Sequence, residues 1–453
     1  MDKARRNFIK TSASATAGAA LLAGCRTTQM AAGPLITRPR SPNETIRVAC
    51  VGIRGRGQSH IKGFQELPNV EVVALSDVDE NILDKRAAEF EKKYERKPKT
   101  EWDMRKIFDD PEIDVVSFAT PNHWHSLGTI WACQGGKDVY VEKPASHNVF
   151  EGRKMVEAAR KYNRIVQYGV QLRSSPAVQE AVEHMRKGTI GTVYMARGLC
   201  YRHRPTIGKK TWGPVPPRVH YDMWLGPAPE KHFQENRFHY NWHYMWDFGN
   251  GDLGNQGVHQ MDMCMWGLGV AMPSEICTMA GMYIWTDDDK EIPNVSTSCF
   301  RYPKENVQIV FDVRPWLTND EYGVKVGNIF YGSEGILVVP NYNSYKIFFD
   351  PDRKEADPWK RGQKLEPGPS RDEGGNHFAN FIKAVRSRKR EDLNAEIEQG
   401  HYSAALCHLG MIAHRVKRQL NFDPVKETII GDSEAKKLLT RKYRKPYVVP
   451  KEV

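Results

Sequence analysis

The residues best suited to chemistry near the start of the chain are Gly52, Arg54, Gly55, Arg56 and Gly57, which follow the apolar run Val48-Ala49-Cys50-Val51, together with Asp77. A strand that ends in a glycine-rich turn and opens a helix presents backbone N–H groups to a pyrophosphate, an anion that the helix dipole also favours. Gly52 suits the tight turn and Gly57 the close packing of helix on strand, whereas Arg54 occupies the place of the middle glycine and Gly55 comes one residue late. The turn is therefore altered, with an arginine available to the phosphates. Asp77 lies twenty residues past Gly57, at the end of a second apolar run. A carboxylate there accepts hydrogen bonds from a ribose 2′-hydroxyl and repels a 2′-phosphate, so the expected cofactor is NAD rather than NADP. A glycine turn without a nucleotide is the alternative, and the order of strand, helix, strand and acid weighs against it.

The elements that must hold this turn alternate. Short apolar runs at 72–75, 115–119, 139–141 and 165–168 are separated by helical stretches, as a parallel sheet with crossover helices requires. One helix, expected over 80–97, is rich in Lys, Glu and Arg, which read as a solvated face. Ligands in such sheets bind beyond the carboxyl ends of the strands. Three of these ends carry conspicuous residues: Thr120-Pro121-Asn122-His123-Trp124-His125, Glu142-Lys143-Pro144 and Gly169-Val170-Gln171-Leu172-Arg173. His123 and His125 would make a two-residue metal pair if the strand ran through them, but no local cluster supplies three or four ligands, and no metal is expected.

The stretch 201–246 is dense in Arg, His, Trp and Tyr, among them Tyr201, Arg202, Trp242 and His243. Aromatic faces cover the apolar C–H patches of a pyranose while Arg and His bond its hydroxyls, so the stretch reads as a carbohydrate surface. A seam between domains or subunits explains the same density equally well. The length and polarity of the loop favour binding.

The N-terminus carries a different signal. Arg5-Arg6-Asn7-Phe8-Ile9-Lys10 precedes a run of small apolar residues that ends in Leu22-Ala23-Gly24-Cys25. This resembles a twin-arginine export signal with a lipoprotein cleavage box, the alternative being an ordinary basic amphipathic start. Residues 1–25 are then a signal, Cys25 a lipid anchor to the membrane, and 26–43 a tether, in an exported periplasmic or cell-envelope protein. Twin-arginine export carries folded proteins, which suits a chain that must capture NAD before leaving the cytoplasm. No other segment approaches the roughly 18 apolar residues of a membrane span.

The remaining roughly 430 residues suffice for two domains with sizeable cores, read as 44–170 for the nucleotide and 171–426 for substrate and oligomer contacts. The net charge of +11 is partly an excess in the tails, including a basic C-terminal tail over 427–453, so nucleic acid is not an expected partner. Of eight cysteines, those other than Cys25 are scattered without C-x-x-C spacing and read as buried thiols, with one pair left open.

The glycine turn, the Thr-Pro-x-x-x-His segment from Thr120 to His125 and the Glu142-Lys143-Pro144 triplet, in this order, resemble the Gfo/Idh/MocA oxidoreductases. The likeness continues through Trp224-Leu225-Gly226-Pro227, the Gly254-Asn255-Gln256-Gly257-Val258-His259-Gln260-Met261-Asp262 segment and a helix start at Asn376-His377-Phe378. It implies an α/β protein with an N-terminal Rossmann-type parallel-sheet domain and a C-terminal α/β domain with a large, mostly antiparallel sheet. A homodimer or homotetramer is expected with it.

The resemblance also implies roles. Lys143 would lie near the nicotinamide and the reacting hydroxyl, where a cation stabilises a developing alkoxide. A surface salt bridge to Glu142 is the plainer reading. Pro144 is expected to fix the backbone behind the pair through a cis peptide. His259 aligns with the general base that takes the hydroxyl proton, and imidazole titrates in a suitable range. On one helix Asn255 and Asp262 would share its face, the plain reading being a core histidine satisfied by Asp262. Many relatives carry aspartate where this chain has Asn255, which puts the simple acid-base relay in doubt. Thr120, Pro121, Asn122, His125 and Glu142 would line the cofactor, and Arg173, Tyr201, Arg202, Trp242, His243 and Asp262 would meet the small carbohydrate substrate. Three functions follow: an NAD-dependent oxidoreductase of a sugar, glycoside or polyol hydroxyl, a redox-neutral glycoside-cleaving enzyme, or a sugar-binding lipoprotein without chemistry.

Overall fold

The computed structural model describes residues 39–349 and 375–453. The expected export signal over 1–25, the expected lipid anchor at Cys25 and the part of the expected tether before residue 39 lie outside the described residues.

The first sheet is built by strand–helix alternation. It runs β1 (Ile46–Val51), α1 (Arg56–Gln65), β2 (Val70–Ser76), α2 (Glu80–Tyr94), β3 (Lys99–Glu101), α3 (Arg105–Asp109), β4 (Val115–Phe118), α4 (Asn122–Gln134), β5 (Asp138–Glu142), α5 (Val149–Lys161) and β6 (Val166–Gly169). All six strands are parallel, in the order β3-β2-β1-β4-β5-β6. The order reverses at β1, so the connections that follow β1 and β4 leave to opposite sides and open a crevice beyond the carboxyl ends of these paired strands. Strands in the middle are apolar on both faces, because helices cover both. Helix α2 is shorter than its run of charges implies: Asp79 caps its start, Glu95 turns left-handed at its end, and the next residues form β3, an edge strand too short and polar to read from periodicity.

After α6 (Pro176–Arg186) comes the second sheet, containing β7 (Val193–Tyr201), β8 (Glu275–Gly281), β9 (Val295–Tyr302), β10 (Val307–Arg314), β11 (Val326–Gly332), β12 (Ile336–Asn341) and β13 (Ser344–Phe348). Between β7 and β8 lie α7 (Tyr221–Leu225), α8 (Gly251–Asn255) and α9 (Gly257–Leu268). Then follow α10 (Gly375–Ser387), α11 (Ile397–Val416), β14 (Leu420–Asp423), β15 (Thr428–Ile430) and α12 (Ser433–Lys437). The nine strands run β13-β12-β11-β7-β10-β9-β8-β14-β15, antiparallel except for the β7–β10 pair. One face packs on α9 and α11; on the opposite face Cys277 and Met279 of β8 are exposed, while Leu199, Tyr201, Ile329 and Val338 form a small buried cluster.

Two segments pack across the boundaries at 170 and 426. Helix α10 returns to the first sheet, where Phe378, Phe381 and Ile382 pack with Phe64, Tyr140 and Ile46. The segment read as a solvated basic tail is also packed: Tyr447 and Val449 join the main core, and Tyr447 Oη donates to Asp222 at 2.9 Å. Its charges sit on the outside of a segment whose aromatic and β-branched residues face in. Among the cysteines, Cys50, Cys133, Cys200, Cys264 and Cys407 are buried, but Cys277 is exposed and faces half-buried Cys299 across β8 and β9.

Candidate active site

The glycine turn takes the conformation its residues require. Gly52 has φ +77°, and a Cβ there would meet the Thr120 N at 2.8 Å. A Cβ on Gly57 would stand 2.1 Å from the Gly52 carbonyl oxygen, so α1 starts hard against β1 only because this residue has no side chain. Gly55 caps α1 without a side-chain hydrogen bond, which leaves the first helical amides open towards the crevice. Asp77 follows β2; its Oδ2 accepts from the Ile53 N–H at 2.9 Å and its Oδ1 from the Asp79 N–H at 3.1 Å. Each oxygen keeps a lone pair for a ribose hydroxyl. Arg86 reaches back to the carbonyl oxygens of Ile53 and Arg54, pinning the altered turn from α2.

A cavity of about 620 Å³ runs from this turn past the ends of β4 and β5 to α8 and α9. Gly52, Arg54, Gly55, Arg56, Asp77, Thr120, Pro121, Asn122, His125, Glu142, Lys143, Arg202, Trp242, Asn255 and His259 all line it. Open helix amides, an acid at the end of β2 and glycines where side chains cannot fit make this half of the cavity fit a dinucleotide.

Burial raises Asp77 to about 6 against the two backbone hydrogen bonds it accepts. Its carboxylate, the form that accepts from ribose, therefore dominates above pH 6 and is lost below it. NAD affinity is expected to fall as pH drops through about 6, and Asp77→Ala to weaken NAD by about 10- to 100-fold and remove that dependence. Calorimetric titrations between pH 5 and 8 would check both.

At the end of β5, Glu142 is buried. Burial alone would raise its pKa, but Arg56 beside it and the hydrogen bond to His60 hold the carboxyl well below the usual range. Arg56 Nε lies 2.8 Å and His60 Nε2 3.1 Å from Glu142 Oε1, and the Gln171 amide donates to the same oxygen. Glu142 thus does not form the plain salt bridge to Lys143. Instead Lys143 Nζ donates to the Asn255 carbonyl oxygen at 2.5 Å, with Asn255 Oδ1 at 3.4 Å. That carbonyl is available because α8 ends at Asn255, and a cation is favoured at a helix C-terminus. Burial pulls Lys143 down to about 8, opposed by Glu142 and reinforced by Arg56, Arg204 and Arg202. The Lys143–Pro144 peptide is cis.

His125 ties two strand ends together, its Nδ1 2.6 Å from the Pro144 carbonyl oxygen and its Nε2 2.8 Å from that of Thr120. His123 points elsewhere, to the Trp224 carbonyl oxygen at 2.9 Å, because α4 starts at Asn122 and helical neighbours two apart do not share a face. Trp124 donates from its indole to the Met223 carbonyl oxygen, and Gly226, at φ +48°, leaves room for its ring.

Four expected substrate contacts sit away from the cavity. Asp262, less than one turn along α9 from His259, is fully buried and gripped by Arg173, with Nε–Oδ2 2.6 Å and Nη2–Oδ1 3.1 Å. Asn255 and Asp262 fail to share one helix, since the chain breaks at Gln256 between α8 and α9. Tyr201 lies on the opposite face of the second sheet, packed with Leu199 and Val338 and donating to Glu321. His243 is buried, its Nδ1 2.7 Å from the Tyr240 carbonyl oxygen. Breaking the buried Arg173–Asp262 pair leaves a stranded charge, so Asp262→Ala is expected to cost about 3–5 kcal/mol of stability, read by denaturant unfolding.

His259 is 6 % exposed, lines the cavity from α9 and has the Tyr342 ring centroid 5.7 Å from its own. Tyr342 and Asn343, at the turn between β12 and β13, complete that wall and carry no local signal in the chain. Arg204 and Tyr240 also line it, and the polar, aromatic make-up of 201–246 was the only hint of them. Among the described residues no group of three or more His, Cys, Asp or Glu could hold a metal ion.

Comparison with known proteins agrees with this architecture. Residues 46–170 match the model of an oxidoreductase family with an NAD-binding Rossmann fold, and 195–280 with 363–449 match the family's C-terminal alpha/beta domain. A levoglucosan dehydrogenase of Pseudarthrobacter phenanthrenivorans is 29% identical over 159 residues, 34% of this chain and 40% of that protein. A glycosyl hydrolase family 109 protein of Shewanella baltica is 30% identical over 169 residues, 35% of this chain and 37% of that protein. The chain thus spans about two fifths of the length of these curated relatives. The solved levoglucosan dehydrogenase in complex with NADH and levoglucosan superposes with a TM-score of 0.62 at 19% identity, covering 83% of this chain and 99% of that one. An altered but closely packed glycine turn, an acid after β2, a Glu-Lys-Pro strand end and a second, largely antiparallel sheet thus coincide with both family models, and the chain belongs to the Gfo/Idh/MocA oxidoreductases, with an NAD-binding Rossmann domain.

Proposed function

We propose that this protein oxidises a hydroxyl of a sugar, glycoside or polyol, with Lys143 and His259 at the reacting carbon. The observation that carries the reading is that one cavity joins the dinucleotide turn to Lys143, His259, Arg202 and Trp242. Bound NAD supplies the hydride acceptor. His259 takes the hydroxyl proton, and the Lys143 cation, held by the Asn255 carbonyl, offsets the negative charge that develops on the oxygen. The Trp242 ring covers C–H faces, and the polar side chains around it hold the neighbouring hydroxyls. The levoglucosan dehydrogenase relative supports a sugar substrate.

A second reading is redox-neutral cleavage: a ketone formed on the ring acidifies the adjacent C–H, the aglycone leaves, and the hydride returns. Asn255 in place of the aspartate of many relatives favours it, as does the glycosyl hydrolase family 109 relative. The same proposal has the enzyme exported and anchored in the cell envelope through Cys25, supported by the Arg5-Arg6 and Leu22-Ala23-Gly24-Cys25 motifs, and assembled as a homodimer or homotetramer through the exposed sheet face. Export removes a soluble pool for recycling NADH, which suits the redox-neutral course. Following 340 nm absorbance and aglycone release together with a panel of free sugars and aryl glycosides tests both. NADH accumulation marks net oxidation, aglycone release without NADH marks the cycle, and failure to bind NAD contradicts both.

A further inference from the structure

The cavity carries more positive charge at its substrate end than the cofactor explains. Strand β5 lies two places from β1, about 10 Å along the sheet at ~4.8 Å per strand, so Lys143 stands away from the amides that face a pyrophosphate. The acids lining the cavity, Asp77 and Glu142, belong to the cofactor half, and Glu142 is already engaged by Arg56 and His60. Around Lys143 the wall is cationic. Arg202 and Arg204 both line it, Arg204 with Nε and Nη2 on one oxygen of buried Asp252. Arg202 is exposed to the cavity and meets only the amide oxygen of Gln256, at 3.4 Å; among the described residues no carboxylate forms an ion pair with it. Burial disfavours the Lys143 ammonium; Glu142 opposes this, and Arg56, Arg204 and Arg202 add to it.

We propose that the substrate bears an anionic group on its ring, a carboxylate or a sulfate ester, bound by Arg202 beside Lys143. Resting on the reading of this cavity as a sugar-oxidising NAD site, the inference makes acidic sugars, such as uronides, the preferred class. An oxyanion here satisfies the guanidinium fork of Arg202 and favours the Lys143 cation that the chemistry needs. A neutral sugar leaves Arg202 with a weak amide contact and Lys143 among like charges.

The test uses the full protein loaded with NAD and three probes that share one ring: methyl glucoside, methyl glucuronide and glucose 6-sulfate. Binding is read by quenching of tryptophan fluorescence, since Trp224 and Trp242 line the cavity, and turnover by ketone formation. The glucuronide or the sulfate is expected to bind about 10- to 100-fold more tightly than the glucoside, and Arg202→Gln to erase that margin. Arg202→Lys, which keeps the charge, should retain part of it. Which acid binds more tightly distinguishes carboxylate from sulfate. Equal or tighter binding of the glucoside, or a margin that survives in Arg202→Gln, overturns the inference. Where the glucoside is then oxidised, the reading of the site as a sugar dehydrogenase stands; where no NAD is held, both fall.

Discussion

Lys143→Met is expected to lower turnover by about 10²- to 10⁴-fold while leaving NAD bound, because in the proposed reaction the lysine acts on the reacting oxygen while the glycine turn and Asp77 hold the dinucleotide. The pH dependence sharpens the test. Lys143 titrates near 8, so the cation is present below that pH and lost above it. If the cation stabilises the alkoxide, kcat/KM declines as pH rises through about 8. Lys143→Arg stays charged at every accessible pH, so whatever activity it keeps should lose that decline. A proton-accepting amine gives the opposite sign, with activity rising through 8 and absent in the arginine variant. The decline belongs to the free enzyme. Substrates that bring a negative charge should move it upward in kcat relative to kcat/KM.

The second large effect is at the turn. Gly57→Ala puts a methyl group where the Gly52 carbonyl oxygen stands, at 2.1 Å, and neither atom belongs to a flexible side chain. Helix α1 must move away from β1, which costs about 1–3 kcal/mol as overpacking and turns the first helical amides from the phosphates. NAD affinity is therefore expected to fall by about 100-fold, with a lower Tm. Gly55→Ala is the matched control, since a Cβ there meets nothing within 4 Å. It should leave the Tm of the free protein unchanged and weaken NAD alone, because Gly55 lines the cavity and takes up the missing middle glycine's role. Tm measured with and without NAD separates the two. A Gly57→Ala protein that binds NAD normally would contradict the packing argument.

How far the chain itself reveals this site depends on the range of the forces involved. The glycine turn, Asp77, the strand ends at Thr120 and Glu142 and the parallel order of the first sheet are local patterns, and these elements fall close to their expected places. The role of Glu142 was not local: its partners Arg56 and His60 come from α1, more than 80 residues earlier. The break at Gln256 likewise has no proline to announce it, and it decides both that Asn255 offers a carbonyl to Lys143 and that Asn255 stands outside the helix that carries His259 and Asp262. Arg173 and Asp262 look like ligand contacts because they are charged and near motif residues, yet they satisfy each other in the core. Tyr201 illustrates the period of a strand. As the last residue of β7 it projects to the face opposite the helices, and a shift of one residue would have aimed it the other way. Tyr342 and Asn343 arrive from a turn far along the chain, and only the folding of the second sheet against α9 brings them to the cavity.

In the proposed reaction hydride passes between a substrate carbon and NAD in this cavity. The most direct measurement is the fate of deuterium placed on the carbinol carbons of the oxidised sugar, followed by mass spectrometry of both the nucleotide and the product. A primary isotope effect on turnover is expected, with label on the nicotinamide that is retained there in net oxidation and returned to the sugar in the redox-neutral cycle. Product formed with no isotope effect and an unlabelled nucleotide would contradict the proposed hydride transfer.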